Sequence, residues 1–544
     1  MVDCSSVMSP APILRRILIA LAVASLLTAP RLVSAEAGSL PWVNVKDFGA
    51  KGDCRRVSDG TIHKDSTQFI SGAGRFTKAD IGRPIYILQA GSQNISGLGE
   101  ILGAPLSSRI VAVIDASTVT LADAAKQDVF AAQACWGADD SAAIQQAIDS
   151  LAATGGTVYF PEGCYRVTYR GGPGIQVAYS NIHLQGTGTG SAIFNSTVLF
   201  RAKMKDGKMI TEQGGVPALY VGSPARAIEN VEVDHLWLGD NGQNYNFREW
   251  GPHGWGVLGA AGKIDGIHFH DLTVETSFLC GVNMDSETKG FSIHHVTVLS
   301  SGEHGFYLAG NGTDGEVHDN RILGTTSPMR QGMAIKRKSR LRITHNEIAN
   351  VDFQGICVVG DIAEHQSHDV LIADNWLHDL DAWHTEGIIV SNATDVVIRN
   401  NRIQDTSWVG ICLRTTLNTV SNVEIKDNVI TRAGQMNPCF GIMVRYDPPR
   451  NLLPETPWPG KIVDVVVANN VITDCPSGIM FTKIGGKNLL RGNRVTRGFT
   501  GSEGTSYQID AIDGSSSAFS DNLSVNYGRS TIAPGVISRD NVLN

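Results

Sequence analysis

One series of asparagines constrains the fold of this chain more than any other feature. Each member follows a short apolar stretch and precedes another, and successive members are 23 to 42 residues apart. The series comprises Asn320, Asn346, Asn375, Asn401, Asn428, Asn470, Asn493 and Asn522. Such a period is typical of stacked-repeat proteins, in which each unit buries its apolar side against its neighbours. We expect each Asn to take a left-handed backbone in a tight turn and its amide to hydrogen-bond along the stack, which is a structural role.

A series of glycines falls half a repeat later. It comprises Gly281, Gly305, Gly332, Gly355, Gly387, Gly410, Gly441 and Gly478, and the first and third residues after each are apolar. Because a strand alternates its faces, we expect those residues to point inward and the second and fourth to face water. Parallel strands joined by right-handed crossovers form a right-handed parallel β-helix. We therefore predict an all-β solenoid of this kind over residues 135–544.

The N-terminus has the pattern of an export signal. Arg15 and Arg16 precede a mostly apolar run, and small residues up to Ala35 offer a cleavage site. The run is too short to span a bilayer. We predict a signal peptide over 1–35, with an uncleaved anchor as the alternative. The mature chain is then expected to be secreted or periplasmic, with no membrane span.

The region between the signal and the repeats divides into three parts. Residues 36–54 read as an N-terminal cap strand of the β-helix. Residues 55–134 have β-like stretches but belong to neither the asparagine series nor the glycine series, which we call the Asn and Gly ladders. This predicts a small inserted β-domain. From Asp139 onward, apolar residues recur at helical spacing until Gly155. This capping helix would cover the open first rung, whose edge could otherwise template aggregation.

Composition excludes some partners and leaves the cysteines open. The 544 residues carry a net charge of −8 and no basic domain, so nucleic acid is not expected as a partner. Cys54 with Cys135, and Cys439 with Cys475, could form disulfides or remain free thiols. No Cys-x-x-Cys pair occurs, and no metal site is predicted. No cofactor is certain, and calcium is left open.

Three segments resemble the pectate-lyase-like superfamily of β-helix proteins. They are Val45-Lys-Asp-Phe-Gly-Ala-Lys-Gly-Asp53, Asp139-Asp-Ser-Ala-Ala-Ile-Gln-Gln-Ala-Ile148 and Gly155-Gly-Thr-Val-Tyr-Phe-Pro-Glu-Gly-Cys-Tyr-Arg166. The resemblance implies that carbohydrate binds along the outward face of the Gly-led sheet. It does not specify the reaction, because members include lyases, hydrolases, epimerases and phage tailspikes.

Polygalacturonase-type hydrolases within this superfamily match the chain only in part. His304 before Gly305 and Lys336 one rung later are similar to the histidine and lysine of those enzymes. Their carboxylates are replaced by Leu279-Cys280 and by Gly254-Trp255-Gly256. Inverting hydrolysis requires two carboxyl groups, so that mechanism does not transfer.

The alginate C5-epimerases and the pectate lyases also match only in part. The epimerase motif Asp-Pro-His would align with Asn283-Met284-Asp285, where both key residue types are lost. The calcium-binding acidic triplet of pectate lyases has no convincing counterpart.

Four residues remain as catalytic candidates on the outward face. Asp285, His304 and Lys336 lie on three successive rungs, so neighbours should be about 5 to 10 Å apart. His304 could act as base or acid near neutral pH. Lys336 could neutralise a uronate carboxylate or, with its pKa lowered by Arg337, take a proton. Glu303 or Asp285 could orient the histidine or serve as the acid.

Further charged and aromatic residues are candidates for binding substrate along the same face. They are Arg337, Asp352, Trp383, His384, Glu386, Trp408, Arg414 and Arg445. Cations would pair with a uronate, and flat rings would contact the C–H faces of sugars. The alternative is a solvated polar face on which these charges have no common role.

These observations predict an exported protein that acts on a polysaccharide or oligosaccharide. A lyase for a uronate-containing glycan is favoured, because β-elimination needs a base and cations but not the missing aspartates. A glycoside hydrolase using Glu303, Asp352 or Glu386 is one alternative. A non-catalytic glycan-binding or surface protein is the other, and the sequence leaves monomer or trimer unresolved.

Overall fold

The computed structural model describes most of the chain from residue 40 onward. The described residues are 40–168, 172–197, 199–205, 208–214, 216–240, 256–325, 329–360, 366–382, 384–415, 418–435, 439–446, 461–497, 504–511, 516–527, 529–532, 534 and 536–543. The predicted signal peptide over 1–35 lies outside them. Among the described residues, none of the helices combines the length and the apolar character that crossing a bilayer requires.

Three long parallel sheets wind along the chain as a β-helix, which confirms the predicted fold class. The first, called the Gly-led sheet, begins most of its strands at or near a ladder glycine. Its strands are Ile175–Val177, Leu219–Val221, Leu258–His270, Cys280–His294, His304–Ala309, Met329–Lys336, Val351–Val359, Glu386–Ser391, Val409–Thr415, Phe440–Tyr446, Ser477–Ile484, Thr505–Ala511 and Arg529–Ile532.

The other two faces of the coil follow in chain order. The second sheet receives the last residues of Leu258–His270 and Cys280–His294. Its further strands are Trp42–Asn44, Gly156–Tyr159, Ile182–Gln185, Ile228–Asp234, Gly312–His318, Lys338–Thr344, Ser367–Ala373, Ala393–Arg399, Val420–Lys426, Ile462–Ala468, Lys487–Arg491, Ser516–Ser520 and Ile537–Arg539. The third sheet comprises Gly163–Val167, Ser191–Asn195, Trp237–Asp240, Thr273–Thr276, Thr297–Val298, Arg321–Ile322, Glu347–Ala349, Trp376–His378, Arg402–Thr406, Val429–Ala433, Val471–Thr473, Arg494–Thr496, Leu523–Val525 and Val542–Leu543.

The asparagines form a continuous buried hydrogen-bond ladder, as predicted. Each side-chain amide donates to the side-chain oxygen of the next Asn, at 2.9 Å from Asn375 to Asn401 and 3.0 Å from Asn401 to Asn428. The ladder continues past the predicted series, because Asn522 donates to Asn541 at 3.0 Å. The amides thereby satisfy buried polar groups at the turn between the second and third sheets.

The predicted backbone of the ladder asparagines is wrong by one residue. The left-handed conformation belongs to the residue before each Asn, as at Asp374 with φ 58° and Asn400 with φ 55°. That residue makes the corner. The ladder Asn then follows the corner with its side chain turned into the stack, where it reaches its neighbours.

The first and third residues after each ladder glycine point into a continuous apolar core. Ile411, Leu413, Ile442 and Val444 are fully buried in it. The glycines themselves stand where adjacent rungs approach closely. A Cβ on Gly410 would lie 2.6 Å from both the Gly441 carbonyl oxygen and Ile430 Cγ2.

A six-stranded barrel and one α-helix precede the regular coil. The barrel strands are Arg55–Ile62, Gln68–Ile70, Pro84–Ile95, Gly99–Val113, Thr118–Leu121 and Val129–Trp136. They surround their own apolar core, which matches the expected inserted β-domain. The boundaries at 36–54, 55–134 and 135–544 stay predictions.

The helix Ser141–Ser150 packs on the first rungs. Its apolar side chains Ile144, Ala147 and Ile148 join the core of the coil, as a capping helix requires. Cys54 and Cys135 lie in one small apolar cluster that Cys164 packs against, and the structure holds all three as free thiols. Cys439 and Cys475 are free thiols as well.

Outside the three sheets and the barrel, the described residues also form one antiparallel ribbon, Leu199–Lys205 with Lys208–Gly214. Three short 3-10 helices complete the described elements, at Val45–Phe48, Lys78–Asp80 and Gly188–Gly190.

Candidate functional site

The outer side of the Gly-led sheet is partly buried, which corrects one expectation. In seven of the eight repeats, the second residue after the glycine is buried, and in the eighth, Met480 is partly buried. Along the stack this position holds Asn283, Tyr307, Ala334, Cys357, Ile389, Cys412 and Met443, all buried. Most of these side chains are apolar and stack rung on rung, so they form clusters of their own outside the main core. Charged groups on this face therefore act in a partly dehydrated setting, where electrostatic interactions are stronger than in water.

Tyr307 stands at the centre of the candidate site. Its ring stacks on the imidazole of His304, with centroids 5.3 Å apart and planes inclined by 14°. The side-chain nitrogen of Lys336 lies 5.3 Å from the same ring. Lys336 follows Ile335, which pairs with Leu308 on the previous rung. Lys336 is partly exposed, and it lies on the same side of the coil as His304.

The phenol of Tyr307 is held in its neutral form. Burial raises its pKa to about 12, and the carboxylates of Asp285 and Glu303 act in the same direction. A phenol with that pKa carries its proton throughout the neutral range. It can therefore donate a proton to a departing oxygen.

The expectation that Glu303 and His304 face solvent is wrong. Their side chains are 0 % and 2 % exposed, and Glu303 Oε1 lies 3.5 Å from His304 Nε2. Arg330 Nη1 lies 3.3 Å from the same Glu303 oxygen. Both residues precede the part of the strand His304–Ala309 that carries the outward side chain of Tyr307. The guanidinium compensates a carboxylate that would be costly to bury alone.

Glu386 is also buried rather than solvent-facing, and it ends a chain of side-chain hydrogen bonds. Gln331 donates to Gln354, and Gln354 Nε2 donates to Glu386 Oε2 at 2.6 Å. Arg414 Nη1 lies 3.7 Å from the other oxygen of Glu386. The chain crosses three rungs and holds the carboxylate in one orientation beneath a partly exposed guanidinium.

The aromatic candidates fall on the same face as far as the structure describes them. Trp408 meets His384 edge-on at 5.6 Å, and Arg445 lies 5.8 Å from the Trp408 ring. Arg445 pairs in register with Arg414, so two cations stand side by side. Trp383 lies outside the described residues.

The remaining acidic and basic candidates flank this site. Asp285 is exposed, whereas Asp352 and Arg337 are partly buried. Lys338 is buried and was not a candidate. Burial lowers the pKa of its amine to about 7, and Arg337 adds to the lowering while Asp285 opposes it. Its nitrogen lies 5.6 Å from the ring of the core residue Phe291, so it is turned toward the interior.

One buried group of side chains on this face contains residue types that can bind a metal ion. Cys280, Glu303 and His304 bring one ligand atom each within 4.8 Å of one another. Calcium takes 6 to 8 oxygen ligands, and this group offers a single carboxylate. Burial, reinforced by Glu303, raises the pKa of the Cys280 thiol, which opposes its use as a thiolate. The group does not fit calcium.

Sequence reasoning missed Tyr307 and the two glutamines. Tyr307 occupies an outward position after Gly305, between two residues that were candidates, and a phenol there was a usable signal. Gln331 and Gln354 occupy the rungs between His304 and Glu386. Their role depends on register across four strands, which spacing alone does not define.

A sequence pattern for a right-handed β-helix region matches residues 218–366 and 280–451. This match agrees with the resemblance to the pectate-lyase-like superfamily of right-handed parallel β-helix proteins. The chain is similar to mannuronan C5-epimerases of Azotobacter vinelandii. It is 29 % identical to AlgE5 over 277 residues, which are 48 % of this chain and 25 % of AlgE5. It is 32 % identical to AlgE3 over 192 residues, which are 34 % of this chain and 9 % of AlgE3. The chain thus spans a quarter or less of these relatives.

Solved structures align with this chain at low sequence identity. The A-module of AlgE6 from A. vinelandii aligns over 75 % of this chain and 96 % of the module, with a TM-score of 0.44 and 16 % identity. An exopolygalacturonase from Thermotoga maritima aligns over 74 % of this chain and 88 % of its own, with a TM-score of 0.41 and 15 % identity.

Proposed function

We propose that this β-helix acts on a uronate-containing polysaccharide by removing the proton at C5, next to the sugar carboxylate, and that it is a lyase. The observation that carries the proposal is the grouping of an imidazole, a protonated phenol and an ammonium around one ring on the outer face. Proton removal beside a carboxylate requires a base, an acid and positive charge at the carboxylate.

The cations supply the charge at the carboxylate in this proposal. Lys336 is partly exposed beside Tyr307, and Arg414 and Arg445 continue a positively charged edge on later rungs. The ammonium of Lys336 would neutralise the negative charge of the uronate carboxylate. The carboxylate would then no longer repel the carbanion that develops at C5. The arginines would pair with carboxylates of neighbouring sugars along the chain.

His304 and Tyr307 divide the proton transfers. His304 takes the C5 proton, the bond electrons form a C4–C5 double bond, and the C4–O4 bond breaks. Tyr307 gives its proton to the departing oxygen. His304 is nearly fully buried against Tyr307, so the proposal requires the sugar to approach along the edge shared by the two rings.

Epimerisation at C5 is the second candidate, and similarity to mannuronan C5-epimerases favours it. It shares the first proton removal but returns a proton to the other face of C5 and leaves the chain intact. Against it, Asn283 and Asp285 stand where the Asp and His of the epimerase motif would align.

Hydrolysis by the two buried glutamates receives no support from their spacing. Glu303 and Glu386 are three rungs apart, which is about 14 Å at about 4.8 Å per rung. Glycosidase carboxyl pairs are separated by about 5 to 9.5 Å.

The test combines three measurements on a panel of uronate polymers in deuterated water. Elimination raises the ultraviolet absorbance through the new double bond, and epimerisation incorporates deuterium at C5 without cleavage. Hydrolysis produces reducing ends with neither signal. Reducing ends alone, or retention of the polymer without any reaction, would overturn the proposal in favour of a hydrolase or a binding protein.

A further inference from the structure

A cluster of histidines and carboxylates lies on the outer face of the second sheet, and the Gly-led face does not use it. His183, Glu232 and His268 are paired in register on three adjacent strands, as are Gln185, Asp234 and His270. The side chains of His183, Glu232, Asp234 and His270 meet between these strands. Backbone pairing on both sides fixes all four, so the arrangement does not depend on a loop.

Three ligand atoms of this cluster, from His183, Glu232 and Asp234, lie within 4.8 Å of one another, and His270 contacts both carboxylates from the next strand. His183 Nε2 lies 2.7 Å from Asp234 Oδ2 and 4.0 Å from Glu232 Oε1. His270 Nε2 lies 2.8 Å from Glu232 Oε1 and 3.7 Å from Asp234 Oδ2. A tetrahedral ion with bonds of about 2.0 to 2.1 Å separates neighbouring ligand atoms by about 3.3 Å. The four histidine-to-carboxylate separations bracket that value. Small side-chain adjustments would let His183, Glu232 and Asp234 hold an ion, and a further adjustment of His270 would complete the set.

The surroundings orient two of the four groups. His270 Nδ1 lies 2.8 Å from Asp271 Oδ2, and a carboxylate behind a metal-binding histidine fixes which ring nitrogen faces the ion. Asp234 is 4 % exposed on its side chain, and its other oxygen Oδ1 lies 2.9 Å from His235 Nδ1. The His294 ring stacks on His270 with centroids 4.8 Å apart, which limits rotation of the ligand ring.

The geometry points to a binding site for a divalent transition-metal ion of the zinc type at His183, Glu232, Asp234 and His270. Two imidazoles and two carboxylates suit zinc or cobalt, whereas calcium and magnesium prefer oxygen alone. No short sequence pattern marks this site, because its ligands are spread over 88 positions. Only the register of the strands brings them together. A bound ion would tie three successive rungs together and would stabilise the folded chain in proportion to its affinity.

Cobalt and zinc binding to the full chain test this site independently of any reaction on polysaccharide. After removal of metals with a chelator, addition of Co²⁺ should produce visible absorption of tetrahedral intensity, and Zn²⁺ should displace it with about one ion per chain. Ca²⁺ in large excess should not displace it. Zn²⁺ should also raise the thermal unfolding midpoint. Absence of cobalt absorption or of zinc binding in the wild-type protein would overturn the site.

Variants locate the ion. His183→Ala with His270→Ala should lower zinc affinity at least 100-fold, and Asp234→Asn should lower it at least 10-fold. His368→Ala is the matched control, because His368 is an exposed histidine beside an aspartate on the second sheet but outside the cluster. Circular dichroism should be unchanged in all variants, since His183 and His270 are partly exposed. Zinc affinity that is unchanged in the double variant, or reduced equally by His368→Ala, would also overturn the assignment.

Discussion

The side-chain nitrogen of Lys336 lies 5.3 Å from the centre of the Tyr307 ring, and the centre of the His304 imidazole lies 5.3 Å from the same point. An ammonium over an aromatic face is an attractive contact that strengthens as water is excluded. His304 and Tyr307 lie on one strand and Lys336 lies on the next rung, so the parallel register of the sheet sets the position of Lys336.

Replacing Tyr307 by Phe should remove the proton donor while keeping the ring that His304 and Lys336 contact. If the phenol protonates the departing oxygen, elimination should fall by about 10²- to 10⁴-fold, with a smaller change in KM. Ultraviolet absorbance on the best polymer measures the rate, and circular dichroism checks the fold. Tyr220→Phe on an earlier Gly-led strand is the control, and activity near wild type in Tyr307→Phe would exclude the phenol.

Replacing Lys336 by Met should chiefly weaken binding of the anionic sugar. A charge-assisted hydrogen bond contributes about 1.5 to 3 kcal/mol, which predicts a KM increase of about 10- to 100-fold. Lys336→Arg should recover part of the loss, and added salt should affect the wild type more than the Met variant. Lys487→Met, an exposed lysine on the second sheet, should behave as wild type. An unchanged KM in Lys336→Met would contradict the role.

Replacing Asn401 by Ala should destabilise the coil. Asn401 donates to the Ile372 carbonyl and to Asn428 Oδ1, both at 3.0 Å, and accepts from Asn375 at 2.9 Å. Stranded buried groups cost about 1 to 3 kcal/mol each, so we expect a loss of about 3 kcal/mol. For a chain of about 500 residues this corresponds to a fall of about 3 °C in the unfolding midpoint. Gln404→Ala, on the following strand, should shift the midpoint by about 0.5 °C or less, and equal shifts would contradict the ladder's role.

Replacing Gly410 by Ala tests the close approach of adjacent rungs. The new Cβ would lie 2.6 Å from the Gly441 carbonyl oxygen, and a backbone atom in a central strand cannot move away cheaply. Overpacking of this kind costs about 1 to 3 kcal/mol. The control is Gly172→Ala, whose Cβ would meet no heavy atom within 4 Å. Thermal unfolding compares the two, and a larger loss in the control would refute the packing argument.

Burial of the Lys338 amine should make the stability of the folded chain depend on pH. The pKa of its amine is about 7 in the folded chain and 10.5 in the absence of burial. Between these values the unfolded chain holds a proton that the folded chain lacks, so stability falls as pH drops from about 10.5 to 7 and the penalty is complete below 7. Lys338→Met should therefore stabilise the protein most at pH 6, and the gain should shrink toward pH 10. Urea unfolding at both pH values measures it, and a gain independent of pH would contradict the shift.

The periodic parts of the molecule were predictable because they are repeated. Asn401 recurs at one register, and Gly410 is followed by apolar residues at alternate positions, so the stack and its core were predictable. The sequence pattern predicts the left-handed backbone at the ladder Asn itself, which is one position too late along the chain. Asn400 and Asn401 are the same residue type, and only the path of the chain decides which one makes the corner.

The sequence by itself determined the coil, its core and the face on which His304 and Lys336 stand, because strand alternation and a repeat period are local properties. Only the tertiary structure decided that Glu303, His304 and Glu386 are buried, because their cover comes from other rungs. It likewise decided that Tyr307 contacts both His304 and Lys336, and that His183 and His270 contact the same two carboxylates, Glu232 and Asp234. Contacts between distant segments depend on how the rungs are stacked, and no spacing along the chain encodes that.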